Sequence, residues 1–187
     1  MRSIRVMAGF ALTFLILGCD FPHPPQTITV SHPRAMRPSK PSDIKSLEEA
    51  MAAVMTVCRE DLHLPVVDPI QLLLYKNTAS FASYGHGWRS LPIDMDNITA
   101  FTETGKIHIN LEKTYGKEWG GLIDLLAHEY GHAIESVIGK RHTSGWFIEG
   151  FASWIAARVL NRLGWQDYAL ALERAKLELI NHRDVLT

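Results

Sequence analysis

The sequence has 187 residues, of which 47% are hydrophobic, and it carries 19 basic and 20 acidic side chains. This length and composition are typical of one globular domain with a single compact core. Nucleic-acid binding requires a surplus of basic residues, so the nearly balanced charge predicts no nucleic-acid partner.

The first 19 residues have the pattern of an export signal. Arg2 and Arg5 give the start of the chain a positive charge, and an apolar run follows over residues 7–17. This run is too short to span a bilayer as a helix, so it predicts a cleaved signal peptide.

The end of this signal, Ile16-Leu17-Gly18-Cys19, resembles the lipobox of bacterial lipoproteins, with Leu17 in place of the usual small residue. The resemblance implies cleavage before Cys19 and a lipid on that cysteine, which anchors the exported protein to the bacterial cell envelope. Asp20 is similar to the residue that keeps enterobacterial lipoproteins at the periplasmic face of the inner membrane. The alternative is a plain signal peptide that happens to contain a cysteine.

Residues 20–42 have a different composition, with prolines at positions 22, 24, 25, 33, 38 and 41 and no hydrophobic periodicity. Such a segment predicts an extended, proline-rich tether. The folded domain is therefore predicted to occupy residues 43–187.

The first helix of this domain is predicted from Ser42, a candidate N-cap, to about His63. Its apolar residues recur at helical spacing: Leu47, Met51, Val54, Met55, Cys58 and Leu62. Cys58 is predicted to be a buried structural thiol, and with Cys19 lipidated no disulfide framework is expected.

Strand patterns follow this helix. Residues 70–75 form an apolar run typical of a short buried strand, and 77–97 are predicted as a short helix and irregular loop. Residues 98–102 and 106–111 alternate around Thr104-Gly105, which predicts a tight hairpin.

Helical spacing returns after Gly116 and continues to Gly139, a candidate C-cap. The residues predicted on the buried side of this helix are Leu122, Leu125, Leu126, Ala133, Ile134 and Val137. Two further helices are predicted over 146–163 and 166–182. A buried strand and a hairpin, combined with these helices, predict an α+β fold.

The predicted helix after Gly116 contains His128-Glu129-Tyr130-Gly131-His132, which has the form H-E-x-x-H. Residues four apart share one helix face, so both imidazoles can bind one metal ion, while Glu129 can reach a water bound to it. The alternative is a chance match on a solvated helix. The apolar runs on both sides favour the metal site, because buried histidines and glutamate are costly without a partner.

Catalytic zinc has a third protein ligand and an open fourth position. Glu149 is the candidate, because an acid within the apolar segment Trp146-Phe147-Ile148-Glu149-Gly150-Phe151-Ala152 favours a nearby cation. The alternative is an acid favoured only by the helix dipole.

The two motifs, H-E-x-x-H at 128–132 and W-x-x-E-G-x-A at 146–152, resemble those of the gluzincin metallopeptidases, and the second is closest to the aminopeptidase type. The resemblance covers residues 98–160. It implies a zincin-like fold: a small mixed or antiparallel sheet whose edge hairpin packs on the H-E-x-x-H helix, followed by C-terminal helices. It also implies one Zn²⁺ ion bound by His128, His132 and Glu149, with Glu129 as the catalytic base.

Other candidate site residues are less specific. Ser153 is placed to support a ligating histidine in the family pattern. Asp124, one turn before His128, is a candidate hydrogen-bond acceptor that orients an imidazole, and compensation of the helix dipole explains it equally well. Residues 94–97 are similar to a segment that binds the substrate amine in aminopeptidases, but its glycine and glutamate are replaced here, and a loop rich in Asp and Asn is the commoner explanation. The candidates for stabilising an oxyanion are Tyr115, His142, Tyr168 and His182.

These features predict a zinc-dependent peptidase that cleaves a peptide or protein substrate at the cell envelope by means of a metal-activated water. The substrate is expected to pair in extended form with the free edge of the hairpin. Two alternatives stay open: a non-catalytic zinc-binding envelope lipoprotein, and a metal-dependent hydrolase of cell-wall amide bonds. The domain is small for a gluzincin, so a protein partner that completes the cleft is also left open.

Overall fold

The computed structural model describes residues 24–31, 38, 41–88, 98–114, 117–139, 145–167 and 170. Within these ranges the chain forms one four-stranded mixed sheet with helices packed on both of its faces. The predicted α+β fold class is confirmed at this level.

The sheet consists of β1 (Gln26–Val30), β2 (Ile70–Tyr75), β3 (Ala100–Glu103) and β4 (Lys106–Asn110). Its order is β1-β2-β4-β3, with β2 and β4 parallel and the two outer pairs antiparallel. The predicted hairpin is confirmed as β3 and β4, and its turn contains Gly105 at a φ of +73°, which glycine adopts without steric cost. The hairpin places β3 at one edge of the sheet.

The other edge strand corrects a prediction. β1 lies inside residues 20–42, whose composition predicts a tether, but it pairs with β2 along its whole length. The prolines flank this strand and do not interrupt it, and its β-branched residues suit a sheet edge. The folded domain therefore includes residues well before position 43.

The helices are α1 (Leu47–Thr56), α2 (Thr78–Trp88), α3 (Leu111–Thr114), α4 (Trp119–Ile138) and α5 (Gly145–Arg162). The N-cap of α1 is Ser46 and not the predicted Ser42, because the Ser46 hydroxyl accepts a hydrogen bond from the N–H of Glu49 at 3.1 Å. α1 continues as a π-helical turn, Val57–Asp61, close to the predicted end. Cys58 in this turn is fully buried, as predicted, and burial raises the pKa of its thiol to about 12.

The two faces of the sheet have separate cores, because successive side chains of a strand point to opposite faces. Leu72, Leu74, Ile107 and Ile109 face the main core with α1, α4 and α5. Leu73, Tyr75 and Phe101 face a smaller cluster with Phe81 of α2. The face of β3 that contacts α4 therefore carries Ala100 and Thr102.

The helix that carries H-E-x-x-H is α4, and it ends at the predicted Gly139, whose φ is +60°. α5 packs along it and matches the predicted helix over 146–163. Val137 was predicted on the buried side, but its side chain is 55% exposed. After Ile134, the other described elements no longer pack on α4. Its last turn is therefore exposed to solvent.

The signal sequence with Cys19 and Asp20, and nearly all of the helix predicted over 166–182, lie outside the described residues. Among the described residues, no helix has the length and apolar character needed to cross a membrane.

Candidate metal centre

The two histidines of the motif face the same side of α4. They are four residues apart, and the Nε2 atoms of His128 and His132 are 3.2 Å from each other. Both rings are partly buried, with 27% and 20% of the side chain exposed. Two imidazoles at this distance can bind one cation, or share a hydrogen bond when one nitrogen carries the proton and the other accepts it.

The third side chain comes from the next helix. In α5, Glu149 lies with Oε2 at 3.3 Å from Nε2 of His128 and with Oε1 at 3.7 Å from Nε2 of His132. Its side chain is 65% exposed, so the carboxylate enters the cluster from the solvent side. One carboxylate and two imidazoles that meet in this way can together bind a cation.

These distances fit a tetrahedral metal site. With bonds of about 2.0 to 2.1 Å, neighbouring ligand atoms of a tetrahedral zinc site are about 3.3 Å apart. The ligating atoms of His128, His132 and Glu149 all lie within 4.8 Å of one another. Within the described ranges, no other three His, Cys, Asp or Glu side chains converge in this way. The predicted ligand set is therefore brought together, and the cluster could hold a metal ion.

Glu129 lies beside this cluster but has a different environment. Glu129 is only 6% exposed. The hydroxyl of Thr102 lies 2.7 Å from Oε2 of Glu129 and 2.9 Å from its main-chain oxygen. The carboxylate thus packs between α4 and strand β3. Glu129 therefore lies next to the cluster of His128, His132 and Glu149 without being one of its three members.

A cleft of about 460 Å³ opens over the cluster. Its lining consists of Ile98, Ala100, Phe101, Thr102, His128, Glu129, His132, Ile148 and Glu149. A groove of about 510 Å³ lies at the other end of α4, by Gly120 and Trp165, away from both histidines. The first cleft is the one in which metal-binding groups, a buried carboxylate and apolar side chains meet.

Some of the other predicted site residues can be placed. Asp124 lies one turn before His128; the protein atoms around its carboxyl raise its pKa, and the charges of His128 and Lys117 partly oppose this. No hydrogen bond joins Asp124 to His128 in the described part of the chain. Ser153 is exposed to solvent. Residues 94–97 and all of the predicted oxyanion candidates lie outside the described residues: Tyr115, His142, Tyr168 and His182.

Sequence patterns do not identify the residues that β3 and the segment before it contribute to the cleft, above all Thr102 and Ile98. Alternation along the hairpin predicts that Thr102 and Ala100 share one face. It does not predict which face meets α4, because that depends on the packing of the whole sheet on the helix.

A second polar cluster lies on the opposite face of the sheet. His108 is fully buried, with Nδ1 at 2.9 Å from the hydroxyl of Tyr75 and with its ring stacked on Phe101 at 4.3 Å. Its Nε2 lies 3.2 Å from Glu103, without the alignment of a hydrogen bond. Burial lowers the pKa of His108, and the nearby Glu103 carboxylate partly opposes this. This cluster is separated from His128, His132 and Glu149 by the sheet.

No known protein family, curated protein sequence or solved structure matches this chain.

Proposed function

We propose that this protein is a zinc-dependent peptidase of the gluzincin type. The observation that carries the proposal is the convergence of His128, His132 and Glu149 within 4.8 Å, with the buried carboxylate of Glu129 beside them. Two histidines and one glutamate are the ligands of a known class of catalytic zinc sites, which leave the fourth position open for water or substrate.

The fold supports the same proposal. A hairpin with β3 at the sheet edge packs on α4, and the glutamate comes from α5, the next helix. This is the arrangement that the resemblance to gluzincins implies, and we therefore propose that the domain is zincin-like.

The residues present can divide the chemistry of peptide hydrolysis among them. A Zn²⁺ ion held by His128, His132 and Glu149 would lower the pKa of a water molecule and polarise the substrate carbonyl. Glu129 accepts a proton from the attacking water and then donates it to the nitrogen of the leaving amine. The new C–O bond forms first, when water adds to the carbonyl carbon, and the C–N bond then breaks as the amine nitrogen takes the proton from Glu129. The second proton of the water passes from the new carboxyl group to the amine, so that the products are a carboxylate and an ammonium group.

The cleft also has features that suit a peptide. In the described sheet, β3 has β4 as its one strand neighbour, so its outer edge offers main-chain groups to an extended peptide. Ile98 and Ile148 line the same cleft and give it an apolar wall for substrate side chains. We propose that a peptide or protein strand binds along β3.

The location is part of the proposal and rests on the sequence. The lipobox-like Ile16-Leu17-Gly18-Cys19 and the following Asp20 support an exported protein that is lipid-anchored through Cys19 at the periplasmic face of the inner membrane. A substrate in the cell envelope follows from this location.

The decisive experiment compares the zinc-loaded wild-type chain with Glu129→Gln on a mixture of peptides, with cleavage followed by mass spectrometry. Glu129→Gln should retain zinc and fold but lose at least about 100-fold in rate, the contribution of a general base. Glu48→Gln, an exposed carboxylate at the start of α1, is the matched control and should cleave at the wild-type rate. Equal rates in wild type and Glu129→Gln would refute the mechanism. A zinc-loaded wild type that cleaves no peptide would instead favour a non-catalytic zinc protein.

A further inference from the structure

The hydroxyl of Thr102 contacts one residue at two points. It lies 2.7 Å from Oε2 of Glu129 and 2.9 Å from the main-chain oxygen of the same residue. Thr102 belongs to β3, and Glu129 belongs to α4, 27 positions later in the chain. The contact therefore joins the sheet edge to the helix that carries the metal ligands.

A buried carboxylate needs hydrogen-bond donors, because removing its charge from water is costly. Glu129 is 6% exposed, so the Thr102 hydroxyl partly replaces its lost hydration. A hydrogen bond to a charged carboxylate is stronger than one between neutral groups, so the single hydroxyl proton favours Oε2 over the main-chain oxygen.

The threonine side chain is suited to hold another group in place. Its β-branched Cβ restricts the χ1 rotation, and β3 is fixed by pairing with β4. A glutamate has three rotatable side-chain bonds and does not fix the orientation of its own carboxylate. Thr102 thus links the position of Oε2 to the backbone of β3.

We infer that Thr102 is a positioning residue, which holds the Glu129 carboxylate in the orientation required for proton transfer; this rests on the proposed peptidase function. The strand that carries Thr102 is also the one proposed to pair with the substrate. One element then fixes both the peptide and the base, so the distance between Glu129 and the bond to be cleaved does not depend on loop motion.

The competing explanation is that Thr102 only attaches β3 to α4. In that case, removing its hydroxyl lowers stability but leaves the rate of the chemical step unchanged. A measurement of kcat therefore distinguishes the positioning role from the purely structural one.

The test compares Thr102→Val, which keeps the shape and loses the hydroxyl, with Thr102→Ser, which keeps the hydroxyl. In the zinc-loaded full chain, Thr102→Val should lower kcat by about 10- to 100-fold, the loss typical when a residue that orients an active group is removed. KM and zinc content should change by less than about threefold. Thr102→Ser should restore kcat to within about threefold of wild type. Thr27→Val, the same exchange at an exposed position of β1, is the control and should not change kcat. Wild-type kcat in Thr102→Val, or an equal loss in Thr102→Ser, would overturn the inference.

A second measurement does not depend on turnover. In the metal-free protein, Thr102→Val should lower the melting temperature more when position 129 is the native glutamate than when it is glutamine. A charged carboxylate that loses its hydrogen-bond donor is destabilised more than a neutral amide that loses the same donor. Equal losses in the two backgrounds would show that the hydroxyl does not hold the carboxylate. An inactive wild type would refute the peptidase proposal, while these unfolding data would still report on the contact.

Discussion

Gly131 of α4 lies directly against Ala152 of α5, so that a Cβ atom added to the glycine would be 2.8 Å from Cα and 3.2 Å from Cβ of the alanine. Gly131 lies between Glu129 and His132, and Ala152 lies three residues after Glu149. Because Gly131 has no side chain, α5, which carries Glu149, can approach the two histidines of α4 this closely.

Gly131→Ala should weaken metal binding and stability together. The added methyl group meets main-chain atoms that cannot rotate away, so α5 must move, at a cost of about 1 to 3 kcal/mol of stability. The zinc dissociation constant should rise, because Glu149 moves with α5. Calorimetry of zinc binding and denaturant unfolding measure the two effects.

Gly121→Ala in the same helix is the control for this exchange. An added Cβ there meets only Lys117 side-chain atoms at 3.9 Å, so no strain is expected. Alanine is a better helix former than glycine, and stability should rise by up to about 1 kcal/mol. Unchanged zinc affinity in Gly131→Ala would show that the helix contact does not control the site.

Glu149→Ala should lower zinc occupancy without unfolding the protein. The side chain is 65% exposed, so the metal-free stability should change by less than about 0.5 kcal/mol, as for other surface positions. Elemental analysis after dialysis measures the occupancy, with Glu48→Ala as the control. Full zinc content in Glu149→Ala would place the third ligand elsewhere, and His142 is then the next residue to test.

Zinc should stabilise the folded protein through the three ligands. A ligand that binds only the folded state at about 100 times its dissociation constant adds about 2.7 kcal/mol to the free energy of unfolding. A chelator should reverse this gain, and His132→Ala should show little of it. A melting temperature that does not respond to zinc in the wild type would contradict the metal site.

Tyr130→Phe should destabilise the fold but leave zinc binding intact. The buried Tyr130 hydroxyl lies 3.1 Å from the N–H of Val67 and 3.3 Å from its main-chain oxygen. Without it, both main-chain groups lose a partner, at a cost of about 1 to 3 kcal/mol. Denaturant unfolding and zinc titration of the variant separate the two properties, and a loss of zinc affinity would contradict this assignment.

His108 should make the fold sensitive to acid. Burial lowers the pKa of His108 below the usual value of 6.5, so the unfolded state binds a proton that the folded state does not. This contribution to stability is complete above the unfolded pKa and is lost as the pH falls below it. Between about pH 7.5 and 5, the unfolding free energy of chelated wild type should therefore fall more than that of His108→Phe. Parallel pH profiles of the two proteins would contradict the prediction.

The sequence alone determined the features that depend on neighbouring residues. The spacing of His128 and His132 fixes them on one face of any helix, and the turn at Thr104-Gly105 defines its hairpin. The α+β class and the pairing of an H-E-x-x-H helix with an acid in the next helix follow from the same local patterns.

Only the tertiary structure decided which distant residues meet. β1 is a strand because β2, about forty positions later, supplies its hydrogen-bond partners, and its own composition resembles a tether. The contact of Thr102 with Glu129 and the approach of Glu149 to His128 depend on how β3 and α5 pack against α4. Such contacts arise from the shape of two packed surfaces. Hydrophobic periodicity predicts which face of a helix or strand is buried, but it predicts neither the register of that element against its neighbour nor the distance between their side chains.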